Sequence, residues 1–186
     1  MGFTLTVLLF SLFFQFLIPA LKISTRTTER AETEQQAVIA LRNMVKEIET
    51  TSLFGVSLRS DGSLVAVHPV TMVTQNNDRV YADHLVVYKF EKDQNQIVRY
   101  TWKDKDDPSI DAPRKLSSKE LDNIEAHFQP DSRVLVRGVE EFAFTHSGVG
   151  DLMKQPFKVR LKMQHQSGDG SREFELIRAI SMRNQI

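Results

Sequence analysis

The side chains that could do chemistry are scattered along this chain of 186 residues and form no recognised catalytic pattern. There is no cysteine, which excludes a disulfide framework, a thiol nucleophile and thiolate metal ligands. No two histidines are four residues apart, as in a helical zinc-binding pair. The histidines are His68, His84, His127, His146 and His165. Since a phosphate-binding loop and a Gly-x-Ser-x-Gly turn are missing as well, we predict no enzyme activity, no cofactor and no metal.

A cluster of aspartates is the nearest approach to a metal site. Clustered carboxylates suit Ca²⁺, and this cluster comprises Asp104, Asp106, Asp107 and Asp111. Pro108 and the absence of glycine at the sharp-turn position argue against an EF-hand loop. We interpret the stretch 104–113 as a solvated acidic loop.

A second charged pattern is basic. Lys158, Arg160 and Lys162 alternate with apolar residues on a predicted strand, and together with Arg99 they could approach nucleic-acid phosphates. A solvated sheet face is the commoner role for such alternation, and we favour it here. Basic and acidic residues balance at 24 each, so no strong overall field points to a nucleic-acid partner.

The charged residues are distributed very unevenly along the chain. All of them follow Leu21, and the first 21 residues carry none. This profile indicates one membrane anchor followed by one water-soluble domain. The part beyond residue 30 is long enough to bury a single core of its own.

Residues 3–21 form the predicted anchor. A helix of the first 21 residues is about 31 Å long, which is sufficient to span a bilayer. The residues that we assign to the anchor are Phe3, Leu5, Leu8, Leu9, Phe13, Phe16 and Pro19. A cleaved secretory signal and an ordinary signal anchor are alternatives, although the start is not basic and Ile18-Pro19-Ala20 is a poor signal cleavage site.

Two further patterns concern the ends of the anchor. Gly2 and Thr6 match a myristoylation motif, which a helix that already spans does not need. Lys22, Arg26 and Arg30 follow the apolar run, and the positive-inside rule alone would keep the domain in the cytoplasm.

The start Met1-Gly2-Phe3-Thr4-Leu5, followed by an unbroken apolar helix, resembles the processing site of type IV prepilins and type II secretion pseudopilins. In that family a prepilin peptidase cuts after the glycine and methylates the new amino-terminal phenylalanine. The resemblance implies cleavage between Gly2 and Phe3 and N-methylation of Phe3, with residues 1–2 as the end of the leader. Because leaders of the family are basic, we expect a basic leader upstream of Met1.

Val7 stands at the fifth position after the implied cut, where most pilins have glutamate. That glutamate is thought to neutralise the amino terminus of a neighbouring subunit in the apolar filament core, where an unpaired charge costs several kcal/mol. A subunit without this glutamate, as here with Val7, resembles the minor pseudopilins near a filament tip.

The helix is predicted to continue beyond the anchor to about Thr50. Residues 22–36 are polar and form a predicted exposed stalk. Val38, Leu41, Val45 and Ile48 then recur at helical spacing and are expected to pack on a sheet, with Glu47 among the polar residues opposite. Residues 37–186 form the predicted globular domain.

Strand patterns follow the helix. The predicted strands are 64–67, 70–73, 85–90, 96–102, 133–137, 141–145, 157–164 and 173–182, with a short helix from Ser117 or Ser118 to Phe128. The expected fold class is therefore α+β, with a long amino-terminal helix packed on an antiparallel sheet, and not a βαβ nucleotide fold. In this order the segments look like J-type minor pseudopilins and the similar competence minor pilins over nearly the whole chain, except for 103–132.

The resemblance implies a minor pilin or pseudopilin subunit in a filament for type II secretion, or in a type IV or competence pilus. Its expected partners are other minor pilins, a prepilin peptidase and the membrane. Nucleic acid is expected only for a competence pilus, and no small-molecule substrate is expected. The implied location is the bacterial inner membrane, with the domain extracytoplasmic. The alternative is a single-pass anchored extracytoplasmic binding or sensor domain that does not polymerise.

Overall fold

The structure is a computed structural model that describes residues 2–76, 78–103, 113, 115–126, 131–148, 153–167 and 170–182, with backbone alone at 2–5, 165–167 and 170–172. The chain divides into two compact units, Met1–Gln35 and Gln36–Ile186. Helix α1 (Gly2–Thr50) contributes to both units. Its sequence from residue 3 to Thr50 contains no glycine, and Pro19 is its only helix-breaking residue.

In its described residues, the second unit continues with strands and a further α-helix. In chain order these are β1 (Val56–Leu58), β2 (Leu64–Val67), β3 (Val70–Val73), β4 (Arg79–Tyr81), β5 (Leu85–Glu91), β6 (Gln96–Trp102), α2 (Ser118–Ala126), β7 (Arg133–Arg137), β8 (Val139–His146), β9 (Phe157–Ser167) and β10 (Gly170–Ile180). Short 3₁₀ turns lie at Leu53–Gly55 and Lys92–Gln94.

The described strands form three antiparallel sheets. A five-stranded sheet has the order β1-β2-β5-β6-β7, a three-stranded sheet has the order β10-β9-β8, and β3 pairs with β4 in a ribbon. Gly138, at φ +73°, separates β7 from β8 and so allows the chain to leave one sheet and enter the next. The amide of Val139 then bonds the Asn95 carbonyl at 2.9 Å.

Alternate side chains of the five-stranded sheet enter two different buried clusters. In β2, Val65 and Val67 belong to a cluster that α1 and the three-stranded sheet complete, whereas Leu64 and Ala66 belong to a second cluster that α2 completes. Because both faces of the sheet are covered, all four residues of β2 are buried.

The predicted fold class is confirmed: a long amino-terminal helix is followed by antiparallel sheets in an α+β protein. The predicted hairpin of 85–90 with 96–102 is the β5–β6 pair. The short strands β1 and β4 were not among the predicted strands. The predicted acidic loop 104–113, apart from Pro113, and the end of the short helix at Phe128 lie outside the described residues.

Candidate functional site

The first candidate site is the apolar part of α1. Within its described residues from Thr6 onward, this helix contains an 18-residue window of mean hydropathy 1.9, and none of that window is buried. Leu8, Leu9, Phe13 and Phe16 are all exposed. The lack of burial distinguishes this helix from the core helix of a soluble domain, although a signal sequence would have the same properties. The chain thus has one amino-terminal helix long and apolar enough to span a membrane.

The predicted processing residues lie at the start of this helix. Gly2, Phe3 and Leu5 are helical, and the structure describes their backbone alone. Val7 is exposed within the apolar stretch. Pro19 lies inside the helix and lacks the amide that would bond the Gln15 carbonyl, so one backbone acceptor loses its usual helical partner.

The helix beyond the apolar stretch is polar and satisfies many of its own hydrogen-bonding groups. Thr27, Thr28 and Thr33 each donate to the carbonyl four residues earlier, at 2.8 to 3.0 Å. Arg30 and Glu34 form an ion pair of 2.6 Å one helical turn apart. These local bonds suit a helix whose surface faces water.

The helical stripe that packs into the second unit differs from the predicted one at its first position. Leu41 and Ile48 are buried and Val45 is half-buried, but Val38 is 41% exposed. Ala37 takes the buried place, because it lies four residues before Leu41 on the same helix face while Val38 is rotated by about 100° from it. The predicted packing of Val38 is therefore wrong.

A polar network joins α1 to the five-stranded sheet. The hydroxyl of Tyr88, a fully buried residue, donates to one oxygen of Glu47, and Arg99 donates to the other at 2.9 Å. Burial, reinforced by the Glu47 carboxylate, holds the pKa of the Tyr88 phenol far above its usual value. Burial opposes the charge of Arg99, yet Glu47 outweighs it and raises the pKa of the guanidinium. Both Glu47 oxygens are thus engaged, and the sequence-based placement of Glu47 on the polar face missed this contact.

His68 is the one histidine among the described side chains that is fully buried. Its Nε2 lies 2.7 Å from the Ala82 carbonyl oxygen, so Nε2 carries the proton that is donated. Nδ1 is buried and has no hydrogen-bond partner among the described residues. Burial lowers the pKa of His68 below its ordinary value of 6.5, which favours the neutral ring.

The other described histidines are separate from His68. His84 lies 3.0 Å from Asp83, and Nδ1 of His146 accepts the Gly148 amide at 3.1 Å. His127 and the side chain of His165 lie outside the described part, as do Asp104, Asp106, Asp107 and Asp111. Within the part that the structure describes, no three His, Asp or Glu side chains form a group that could hold a metal ion.

The basic alternation on β9 is accompanied by glutamates on the neighbouring strands. Arg160 pairs with Glu175 and, at 3.3 Å, with Glu141. Lys162 likewise pairs with a glutamate on each side, Glu140 at 3.4 Å and Glu173 at 3.0 Å. These carboxylates offset the charge that the strand would present to phosphates, which favours a solvated sheet face.

An open groove of about 730 Å³ runs between the second half of α1 and the edge strand β7. Ile39 and Lys46 line its helical side, Tyr88 and Arg99 line its base, and Arg133 lines its strand side. Nothing in the sequence singled out this groove, because it depends on which strand ends the sheet.

No protein-family model, curated protein or solved structure matches this chain. The geometry by itself defines a class: an α+β protein with one amino-terminal helix able to span a membrane and a separate unit of antiparallel sheets.

Proposed function

We propose that the chain is a minor pilin-like subunit, a pseudopilin of a type II secretion system or a minor pilin of a type IV or competence pilus. The observation that carries this proposal is helix α1, because one helix combines an unburied apolar stretch with a face that packs into a unit of antiparallel sheets. That order of elements is the order of pilin-like proteins.

The apolar stretch has two successive roles in this proposal. In the inner membrane it holds the subunit with its domain extracytoplasmic, and in the filament it packs against the equivalent helices of other subunits. Lipid and neighbouring helices are both apolar, so close packing and not the hydrophobic effect must favour the filament. A chain with Val7 brings no carboxylate to neutralise a neighbour's amino terminus, which suits a tip-proximal place.

The globular unit supplies specificity in the proposed assembly. Its partners are other minor subunits, while a prepilin peptidase processes the chain between Gly2 and Phe3. No catalytic role is proposed, since the subunit is moved by other components of the apparatus.

The proposal is tested at the amino terminus. The chain is expressed with a basic leader before Met1 in cells that contain a prepilin peptidase, and the mature protein is examined by intact mass and terminal sequencing. We expect it to begin with N-methylated Phe3. Gly2→Trp should block the cut because a bulky side chain replaces the glycine, while Thr4→Ser serves as a matched control and should be processed normally.

Other termini would contradict the proposal in different ways. A mature chain that retains Met1 would favour the second candidate, an anchored binding domain that does not polymerise; the open groove beside β7 is the observation that favours this candidate. A chain that begins after Ala20 would indicate a secretory signal instead.

A further inference from the structure

The groove between α1 and β7 combines a helical wall with a free strand edge. In the described part of the chain β7 ends the five-stranded sheet and pairs with β6 alone. The amide and carbonyl groups on the outer edge of such a strand point away from the sheet and can pair with an added strand. A helix packed beside an open strand edge is a geometry suited to strand addition.

The charges of the groove have one predominant sign. Lys46, Arg99 and Arg133 are cationic, and among the described lining residues Glu47 is the single carboxylate. Arg99 and Tyr88 already occupy both oxygens of Glu47. Neither Lys46 nor Arg133 has an ion-pair partner among the described residues, and both are exposed. Two positive charges, one on each side of the groove, are thus available to a ligand.

The groove also has an apolar component. Ile39 is 51% exposed on the helical side, and Leu135 is half-buried on the strand side. An occupant that covers these side chains would gain from apolar contact as well as from charge. Arg133 and Leu135 are two residues apart and so share one face of β7, and the occupant therefore needs acidic and apolar residues together on its own matching face.

We propose that this groove binds an extended, acidic segment of a partner protein, which adds as a further strand to the outer edge of β7. The backbone of the segment pairs with β7, and its carboxylates lie near Lys46 and Arg133. The proposal goes beyond filament assembly and depends on the groove alone, so it holds whether or not the chain is cleaved after Gly2.

The test uses the uncleaved full chain in lipid nanodiscs and a defined probe, a capped peptide with the repeat Glu-Thr-Val-Thr, which places glutamate and valine in turn on one face of a strand. Calorimetry measures its affinity, and hydrogen exchange measures protection of the β7 amides. We expect binding with slowed exchange in β7. The same peptide with N-methylated backbone amides should bind at least about 10-fold more weakly, because it cannot complete the strand pairing. The same repeat with lysine in place of glutamate should bind no better than that methylated peptide.

Charge reversal locates the site. Arg133→Glu should weaken binding of the glutamate peptide by about 3- to 10-fold, since one exposed attraction is replaced by a repulsion. Lys46→Glu combined with Arg133→Glu should make the chain prefer the lysine peptide. The matched control is Lys158→Glu, which makes the same charge change on the three-stranded sheet and should leave the affinity unchanged. Far-UV circular dichroism checks that each variant is folded.

Four results would overturn the proposal: no binding of the glutamate peptide to the parent chain, equal binding of the methylated peptide, an unchanged affinity in folded Arg133→Glu, or helical structure in the bound peptide. None of these results bears on the cut at Gly2, so this test and the test of filament function can fail separately.

Discussion

Ionised residues of the second unit are stabilised both by neighbours in the sequence and by contacts between distant parts of the chain. Arg59, after β1, pairs with Glu125 of α2 and with Asp61 at 2.9 Å, while Lys89 of β5 lies 3.5 Å from Glu125. Partial burial acts to raise the pKa of Asp61, but hydrogen bonds from Arg59 and Ser63 outweigh it and lower that pKa to about 2. These ion pairs connect α2 to strand β5 and to the β1–β2 turn.

His68, like Tyr88, is a titratable ring that is stabilised in its neutral form. Its surroundings supply the Ala82 carbonyl at Nε2 and the ring of Tyr81, with centroids 4.9 Å apart, but no acceptor for a proton on Nδ1. The charge of nearby His84 also lowers the pKa of His68. A second proton on this ring therefore has no compensating contact among the described residues.

This environment predicts a specific loss of stability at acid pH. Above pH 6.5 the ring is neutral in folded and unfolded chains alike; below it the unfolded chain binds a proton that the folded chain resists. The free energy of unfolding should thus fall as pH drops from 6.5 toward the lower folded pKa, by at most about 1.4 kcal/mol per pH unit. Urea unfolding between pH 7.5 and 5 measures this slope.

His68→Gln is the matched variant, because its amide can still donate to Ala82 but does not titrate. The variant should lose this part of the slope, while slopes from carboxylates and other histidines stay the same in both proteins. Identical pH profiles for the two chains would show that His68 protonates as easily when folded as when unfolded.

At the scale of elements, two glycines in left-handed backbone make different demands on the fold. Gly62, at φ +72° between β1 and β2, lies against β8: an added Cβ would be 2.8 Å from the Phe144 carbonyl oxygen. Gly138, at φ +73° between β7 and β8, has no atom within 4 Å of such a Cβ. One position requires glycine for space and conformation, the other for conformation alone.

Alanine at each position should separate these two costs. Gly138→Ala should reduce the free energy of unfolding by about 1 to 2 kcal/mol, the cost of left-handed backbone, and Gly138→Asn by less. Gly62→Ala should cost at least about 1 kcal/mol more than Gly138→Ala, because β8 must also move away from the turn. Urea unfolding of the variants under one set of conditions makes the comparison, and equal losses at the two positions would contradict it.

Elements with a clear period could be predicted from the sequence, and those defined by distant pairing could not. The helical stripe of Leu41 and Ile48 and the strand alternation of 157–164 could be predicted. Each element buries one face and exposes the other to solvent, so apolar and polar residues recur with its period. The three residues of β4 are too few to show a period. Val38 was misplaced because it stands next to Ala37, and a small residue gives a weak hydrophobic signal although it packs closely.

The candidate sites also differ in whether the sequence predicts them. The apolar helix is a local property of composition, so the sequence reveals it fully. The contact between Glu47 and Tyr88 joins residues 41 positions apart, and the groove exists because β7 ends a sheet. Such features depend on strand order, which local patterns do not contain.

At the scale of the whole molecule, the apolar stretch of α1 and the second unit have opposite solvent preferences. In the second unit, apolar side chains gather into two buried clusters. The apolar side chains of residues 6–21 pack into no core, and their exposed surface is favourable only in lipid or against other apolar helices. Membrane association should therefore depend on this stretch and be insensitive to charges placed beyond it.

Paired charge insertions test that dependence. Each central arginine costs about 2.5 to 3.5 kcal/mol in a spanning helix, whereas each Leu, Ile, Phe or Val contributes about 0.3 to 0.6 kcal/mol. Leu9→Arg with Phe13→Arg thus costs about 5 to 7 kcal/mol, the contribution of roughly ten to twenty apolar residues, and the chain should move from the membrane pellet to the supernatant after alkaline carbonate extraction. Ile23→Arg with Ala31→Arg adds the same charge beyond the apolar stretch and should stay in the pellet. Retention of both double variants would mean that another part of the chain holds it in the membrane.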